Sequence, residues 1–189
     1  MANRYFRANI LNLPILIMPQ PKHARESLTT MTEMVLPNDT NTLNNLMGGR
    51  LLHWMDICAA ITAQKHASRI VVTASVDNVS FAEAIHLGDI VTLEAKITRA
   101  FNSSMEIYIK VTAQNISAGG EILKTHAAFF TFVAVDQSGR PIEVAPVIVE
   151  TDEEKELYQS ALRRRQLRLV LAGRMKPADA TELKTFLNK

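Results

Sequence analysis

The sequence holds a single cysteine, Cys58, so it can form neither an intrachain disulfide nor a paired-cysteine metal site. It also lacks an excess of charge: 21 basic residues against 19 acidic ones leave a formal charge of +2. That balance is no electrostatic footprint for nucleic acid, and none is expected as a partner. No apolar run approaches the roughly 20 residues that span a bilayer, so no membrane is expected either. Residues 9–18 are mostly apolar and follow Arg4 and Arg7, but Pro14 interrupts them and Pro19 closes them. Without a small-residue cleavage site close behind, residues 1–22 read as an extension and not as a secretory leader. The histidines at 23, 53, 66, 86 and 126 have no metal-ligand spacing, so no metal is expected. No repeat of 20–50 residues is visible. What is present, 47% hydrophobic and 21% charged residues, is an ordinary globular composition. A cytoplasmic, reducing location suits the lone thiol.

Three zones divide the chain: an extension over 1–24, a patterned domain over 25–140, and a basic helical extension over 141–189. In the last, Thr151 reads as a helix N-cap with Asp152, Glu153 and Glu154 in the first turn, and Gly173 as the helix end. The run Arg163-Arg164-Arg165 reads as a solvated helix face.

The patterned domain opens with a strand-like stretch, Ser27 to Val35, and a turn-forming loop, Leu36 to Asn41. Gly48-Gly49 then precedes Arg50 to Lys65, which contains no glycine or proline and leaves little polar face. Such a helix is expected to be buried on nearly all sides. Four strand-like runs follow. Ile70 to Phe81 is rich in Val and Thr. Val91, Leu93, Ala95 and Ile97 alternate with polar residues, as do Met105, Ile107, Ile109, Val111 and Ala113, the period of half-buried strands. Ile122 to Val135 carries Phe129, Phe130 and Phe132. One strand, one buried helix and a run of antiparallel candidates predict an α+β fold in which a curved sheet wraps a central helix, the hotdog layout.

Asp56 stands out as a carboxylate on that apolar helix. Either it is a structural group with a bonded partner, or it is a functional carboxylate held on rigid structure. It shares a face with Gly49, His53, Ala60 and Ala63 by helical spacing. Gly48-Gly49 offers free amides and the positive end of the helix dipole, apt for an oxyanion, unless the pair is merely a tight turn. From Gly49 to Asp56 is roughly 10 Å along a helix at ~1.5 Å per residue. One small reacting group cannot touch both, so a site that uses both needs two chains. Cys58 reads as a small core residue, and His66 as an imidazolium suited to the helix C-terminus. Ser103-Ser104 lacks the setting of a nucleophilic serine.

Several segments together carry a family likeness: Val35 to Asn41, Asn45-Leu46-Met47-Gly48-Gly49, Leu52-His53-Trp54-Met55-Asp56, and His66. With Val72 to Asp77, Phe81, Gly88-Asp89-Ile90-Val91 and Ser103-Ser104-Met105-Glu106 they cover about residues 25–137. The sequence resembles the acyl-CoA hydrolase type of hotdog thioesterase. The likeness implies hydrolysis of acyl-CoA to a carboxylate and free CoA, with coenzyme A in the substrate and no other cofactor. It implies a homodimer, assembled as a hexamer of three dimers, with the active site across the dimer. The aspartate matching Asp56 would be general base or nucleophile, and Asn45 and the Gly49 amide would lie around the thioester carbonyl. Gly48, Ser103 and Ser104 would contact substrate or its CoA arm. The family's usual glycine is replaced by Asn44, which tolerates the left-handed region, and a proline often found near Ala84 is missing. Arg163-Arg164-Arg165 would also suit the CoA phosphates. A non-catalytic acyl-CoA-binding hotdog module is the alternative, and a hotdog dehydratase a weaker one.

Overall fold

A computed structural model describes residues 19–77, 79, 83–117 and 119–187. The first 18 residues of the N-terminal extension, and Phe81, lie outside the described residues. Seven strands and three α-helices follow in the order β1 (Lys22–His23), β2 (Thr29–Met34), α1 (Gly48–Ala67), β3 (Ile70–Asp77), β4 (Ile90–Ala100), β5 (Ser104–Gln114), β6 (Leu123–Val135), β7 (Val147–Ile148), α2 (Asp152–Leu171) and α3 (Thr181–Leu187).

Five of the strands form one antiparallel sheet in the order β2-β4-β5-β6-β3, so β2 and β3 are its edges. β1 and β7 make a separate two-residue parallel pair. The alternation in β4 and β5 puts Val91, Leu93, Ala95 and Ile97, and Met105, Ile107, Ile109 and Val111, into the core. Register shifts at Thr73/Ser75, Ile97/Arg99 and Val111/Thr112 mark bulges, which bend strands and increase their twist. The sheet thereby curves around α1. This is the α+β hotdog fold.

α1 lays Leu51, Trp54, Met55, Cys58, Ala59 and Ala63 against that concave face. It is not covered on all sides, however. His53, Ile57, Ile61, Gln64 and Lys65 are exposed, and Asp56 and Ala60 half-buried. One protomer's sheet encloses only part of the helix, because the edge strand β3 ends the wall beside that face.

The opposite face of the sheet is partly covered. α2 crosses it, so Ser104, Glu106 and Thr131 are buried although they point away from the core. Thr151 caps α2 as predicted: its hydroxyl accepts from the Glu154 amide, and Glu154 reciprocates toward the cap. Gly173, at φ +66°, follows the last turn in the left-handed conformation that glycine adopts at helix ends.

Candidate active site

The loop before α1 is tied down by one buried carboxylate. Asp39 accepts from the Leu36 amide at 3.0 Å and from Arg50 Nε at 2.8 Å, while its carbonyl takes the Met47 amide at 2.9 Å. The segment 39–47 is therefore anchored at both ends to the first turn of α1. Inside it, Asn41 Oδ1 accepts from the amides of Leu43 and Asn45 at 2.9 and 3.2 Å, an Asx-type turn. The Asn41 amide closes the turn on the Asn45 carbonyl at 2.8 Å. Asn44 sits at φ +57°, the left-handed conformation the sequence predicts it would tolerate.

The turn leads into the N-terminus of α1, whose cap residue Met47 has no side-chain hydrogen bond to offer. The Gly48 and Gly49 amides donate to no group among the described residues. They remain as orphan donors at the positive end of a 20-residue helix. In front of them lies a cavity of about 350 Å³, lined by Asn45, Gly48, Leu51, Glu83, Ile85 and His126. Burial holds His126 below the usual imidazole range, against a smaller opposing pull from Glu83. The ring is thus neutral near pH 7.

Gly49 has a particular property. A Cβ built there would meet nothing within 4 Å, and its backbone is ordinary helix. Neither strain nor crowding inside the protomer asks for a glycine at this position.

Asp56 lies two turns further along and does not line the cavity. Its Oδ1 accepts from the Thr73 hydroxyl at 2.8 Å, across to the edge strand β3. Both stand on the open side of the protomer, where α1 exposes Ile57 and Ile61 and β3 exposes Val76. A single chain therefore brings Asn45 and Gly48 together at one cavity, with Gly49 adjacent, and holds Asp56 apart from them. Ser103 and Ser104 are elsewhere again, on the α2 side of the sheet, where the Ser104 hydroxyl accepts from Arg165 Nη1 at 3.0 Å.

Two further readings change on this framework. His66 is fully buried, with Nε2 2.8 Å from the Ala145 carbonyl, and burial lowers its pKa. It is a neutral ring that donates a hydrogen bond, where a dipole-stabilised imidazolium was expected. The triple-arginine run is not a solvated face: Arg164 holds Glu106 at 2.7 Å, and Arg165 stacks 4.4 Å from the Phe101 ring. Cys58 is buried, its thiol pushed up to about 11 by burial, which leaves no thiolate for attack.

Residues 43–119 match the thioesterase superfamily. The uncharacterized acyl-CoA thioester hydrolase YkhA of Bacillus subtilis is 40% identical over 146 residues, 77% of this chain and 84% of that protein. A hexameric acyl-CoA thioesterase, solved in its apo form, is 42% identical with a TM-score of 0.78, covering 81% of this chain and 97% of its own. The acyl-CoA hydrolase of Staphylococcus aureus, solved with butyryl coenzyme A, coenzyme A and coenzyme A disulfide, is 33% identical with a TM-score of 0.75, covering 89% and 99%. Variants of that enzyme with alanine for an asparagine, an aspartate or a threonine, at its positions 28, 43 and 60, also share the fold. The chain belongs to the thioesterase superfamily, among its acyl-CoA thioester hydrolases.

Proposed function

We propose that this protein hydrolyses acyl-CoA thioesters at a site completed by two subunits. The observation that carries the reading is the separation of its parts. Asp56, held by Thr73, faces outward on an apolar surface, while the orphan amides and their cavity lie two helical turns away. A second copy packed on the α1/β3 side supplies the missing half to each. The thioester carbonyl is then polarised by the Gly48 and Gly49 amides of one subunit. Asp56 of the other subunit activates water, or attacks the carbonyl to give a mixed anhydride that water opens, with CoA thiol as leaving group.

The substituted positions in the Staphylococcus aureus enzyme refine the assignment. They are 15 and 17 residues apart (28 to 43, 43 to 60). Asn41, Asp56 and Thr73 have those same separations. On this reading Asn41 carries the asparagine's role, and Asn45, whose amide it holds, lines the acyl cavity. Reasoning from the sequence missed both Asn41 and Thr73, since Asn41 read as turn chemistry and Thr73 as strand propensity. A hexamer of three such dimers, as in relatives described as hexameric, and a cytoplasmic location belong to the same proposal.

Thiol release from a chain-length series of acyl-CoAs tests it, with Asp56→Ala beside the wild type. The proposal expects turnover by the wild type and its loss in the variant. Tight acyl-CoA binding without turnover would instead make the protein a non-catalytic binding module.

A further inference from the structure

The open face of α1 carries a titratable side chain that the proposed reaction does not use. His53 is exposed, one turn from Gly49 and one turn from Asp56 on the same face. Among the described residues its side chain makes no hydrogen bond or ion pair. An imidazole with nothing to hold it, on a helix face that also exposes Ile57 and Ile61, has no explanation within one protomer.

Its place in the dimer follows from symmetry, given the two-subunit site proposed for the reaction, on which it depends. A two-fold contact is reciprocal: when Gly49 of one subunit meets Asp56 of the other, Asp56 of the first meets Gly49 of the second. The axis then crosses α1 midway between positions 49 and 56, at Leu52 and His53. Leu52 is half-buried against its own core and His53 is exposed, so His53 is the residue that faces its copy. Each Asp56 lies roughly 5 Å along the helix from this axis, at ~1.5 Å per residue. Gly49 independently suits a close approach of a second chain, since nothing within 4 Å of it inside the protomer accounts for a glycine.

We infer that His53 meets the partner's His53 on the two-fold axis, and that this imidazole pair is a positioning element shared by the two active sites, its charge acting on both Asp56 carboxylates. Other charged groups near it are few. Arg50, one turn back on α1, is held by Asp39 at 2.8 Å. β3 has no charged residue before Asp77, which Arg168 holds. Glu83 and His126 line the cavity beyond the helix N-terminus. The second subunit adds the same groups in reversed order. As a class, imidazoles take up a proton at higher pH than carboxylates do. An imidazolium one helical turn away favours an ionised carboxylate, the form that either activates water or attacks the thioester.

Two readouts test the pair. Oxidation of His53→Cys should link two chains through a disulfide. Facing helices pack about 8–10 Å apart with Cα atoms ~2.3 Å from their axes, which leaves facing Cα atoms within about 6 Å, the span of a disulfide. Cys58 is fully buried and does not compete, and Ala60→Cys, about 11 Å along the helix from the axis, should not link. The second readout is the pH profile of kcat/KM for an acyl-CoA. In His53→Gln its acid limb should move up by about 0.5–1 pH unit, and His53→Lys, which keeps a positive charge, should restore it. His53 is exposed, so these replacements leave the protomer folded, which thermal melting verifies. Asp56-dependent turnover with no cross-link through position 53, or with an acid limb unmoved in His53→Gln, would overturn the inference and leave the hydrolytic reading standing. A protein that cross-links there yet hydrolyses no acyl-CoA would overturn the hydrolytic reading, and the shared catalytic role with it.

Discussion

Asp56 and Gly49 differ in what their immediate surroundings explain. Among the described residues Asp56 has one bonded partner, Thr73, and an outlook onto a surface that one chain leaves open. Its replacement by Ala should lower kcat by about 10²–10⁴, the usual share of a positioned acid–base group, with the oligomer unchanged by light scattering. Thr73→Ala should give a smaller loss, because the carboxylate remains and only its orientation is freed. Gly49→Ala is the complementary case. With nothing within 4 Å of the new methyl, and alanine up to about 1 kcal/mol better than glycine inside a helix, the melting temperature should hold or rise. Activity should still fall, if substrate and a second subunit approach that backbone; unchanged kcat/KM would remove Gly49 from the site. His66 carries a pH prediction. Its folded-state pKa lies below the ordinary 6.5, so the unfolded chain takes up a proton first as pH falls. The buried neutral ring thus contributes stability that is present above 6.5 and lost below it, as the folded-state pKa is approached. Melting temperature should drop on acidification from that value, and the slope should flatten in His66→Gln. How far these residues were legible beforehand varied with the range of their contacts. Asp56 announced itself as a carboxylate in an apolar run. Thr73 did not, since a threonine in a Val/Thr-rich strand has no local feature to mark it, and its partner lies 17 residues away.

At the scale of elements, α2 is the least conventional. Its outward chemistry is mostly charged, yet it is seated by arginines and not by an apolar stripe. Glu106 is wholly buried and takes three contacts from Arg164, at 2.7, 3.1 and 3.2 Å, plus the Thr98 hydroxyl at 2.6 Å. Arg164 also stands 3.8 Å over the Phe129 ring, and Arg99 4.4 Å from that of Tyr158. Truncating Arg164 to Ala would strand the Glu106 carboxylate, a loss on the order of 3–5 kcal/mol. Urea titration should register it, and Glu106→Gln in the Arg164→Ala background should recover part of the loss. The helix and its Thr151 cap were readable in the sequence, because capping is decided within four residues. Its docking was not: Arg164 and Glu106 are 58 residues apart, and a triple-arginine run by itself says nothing of a buried acid.

For the molecule as a whole, the open side of α1 and the unpaired edge of β3 matter most. Ile57, Ile61 and Val76 are exposed on the Asp56 side, an apolar surface that a second copy would cover. Placing a cation there, as in Ile57→Arg or Ile61→Arg, should yield smaller species by light scattering and abolish turnover while the protomer still melts cooperatively. A fully active monomer would break the two-subunit site. The patterns of period 2 and 3.6, the turn chemistry around Pro37 to Asn41 and the helix caps were determined by sequence alone, since each depends on neighbours a few residues away. The sheet order, the bulges that curve it, the exposed side of α1, the Thr73–Asp56 bond and the seating of α2 were decided only by tertiary structure. They join residues tens of positions apart, and strand register, which no local pattern specifies, sets which of those residues meet.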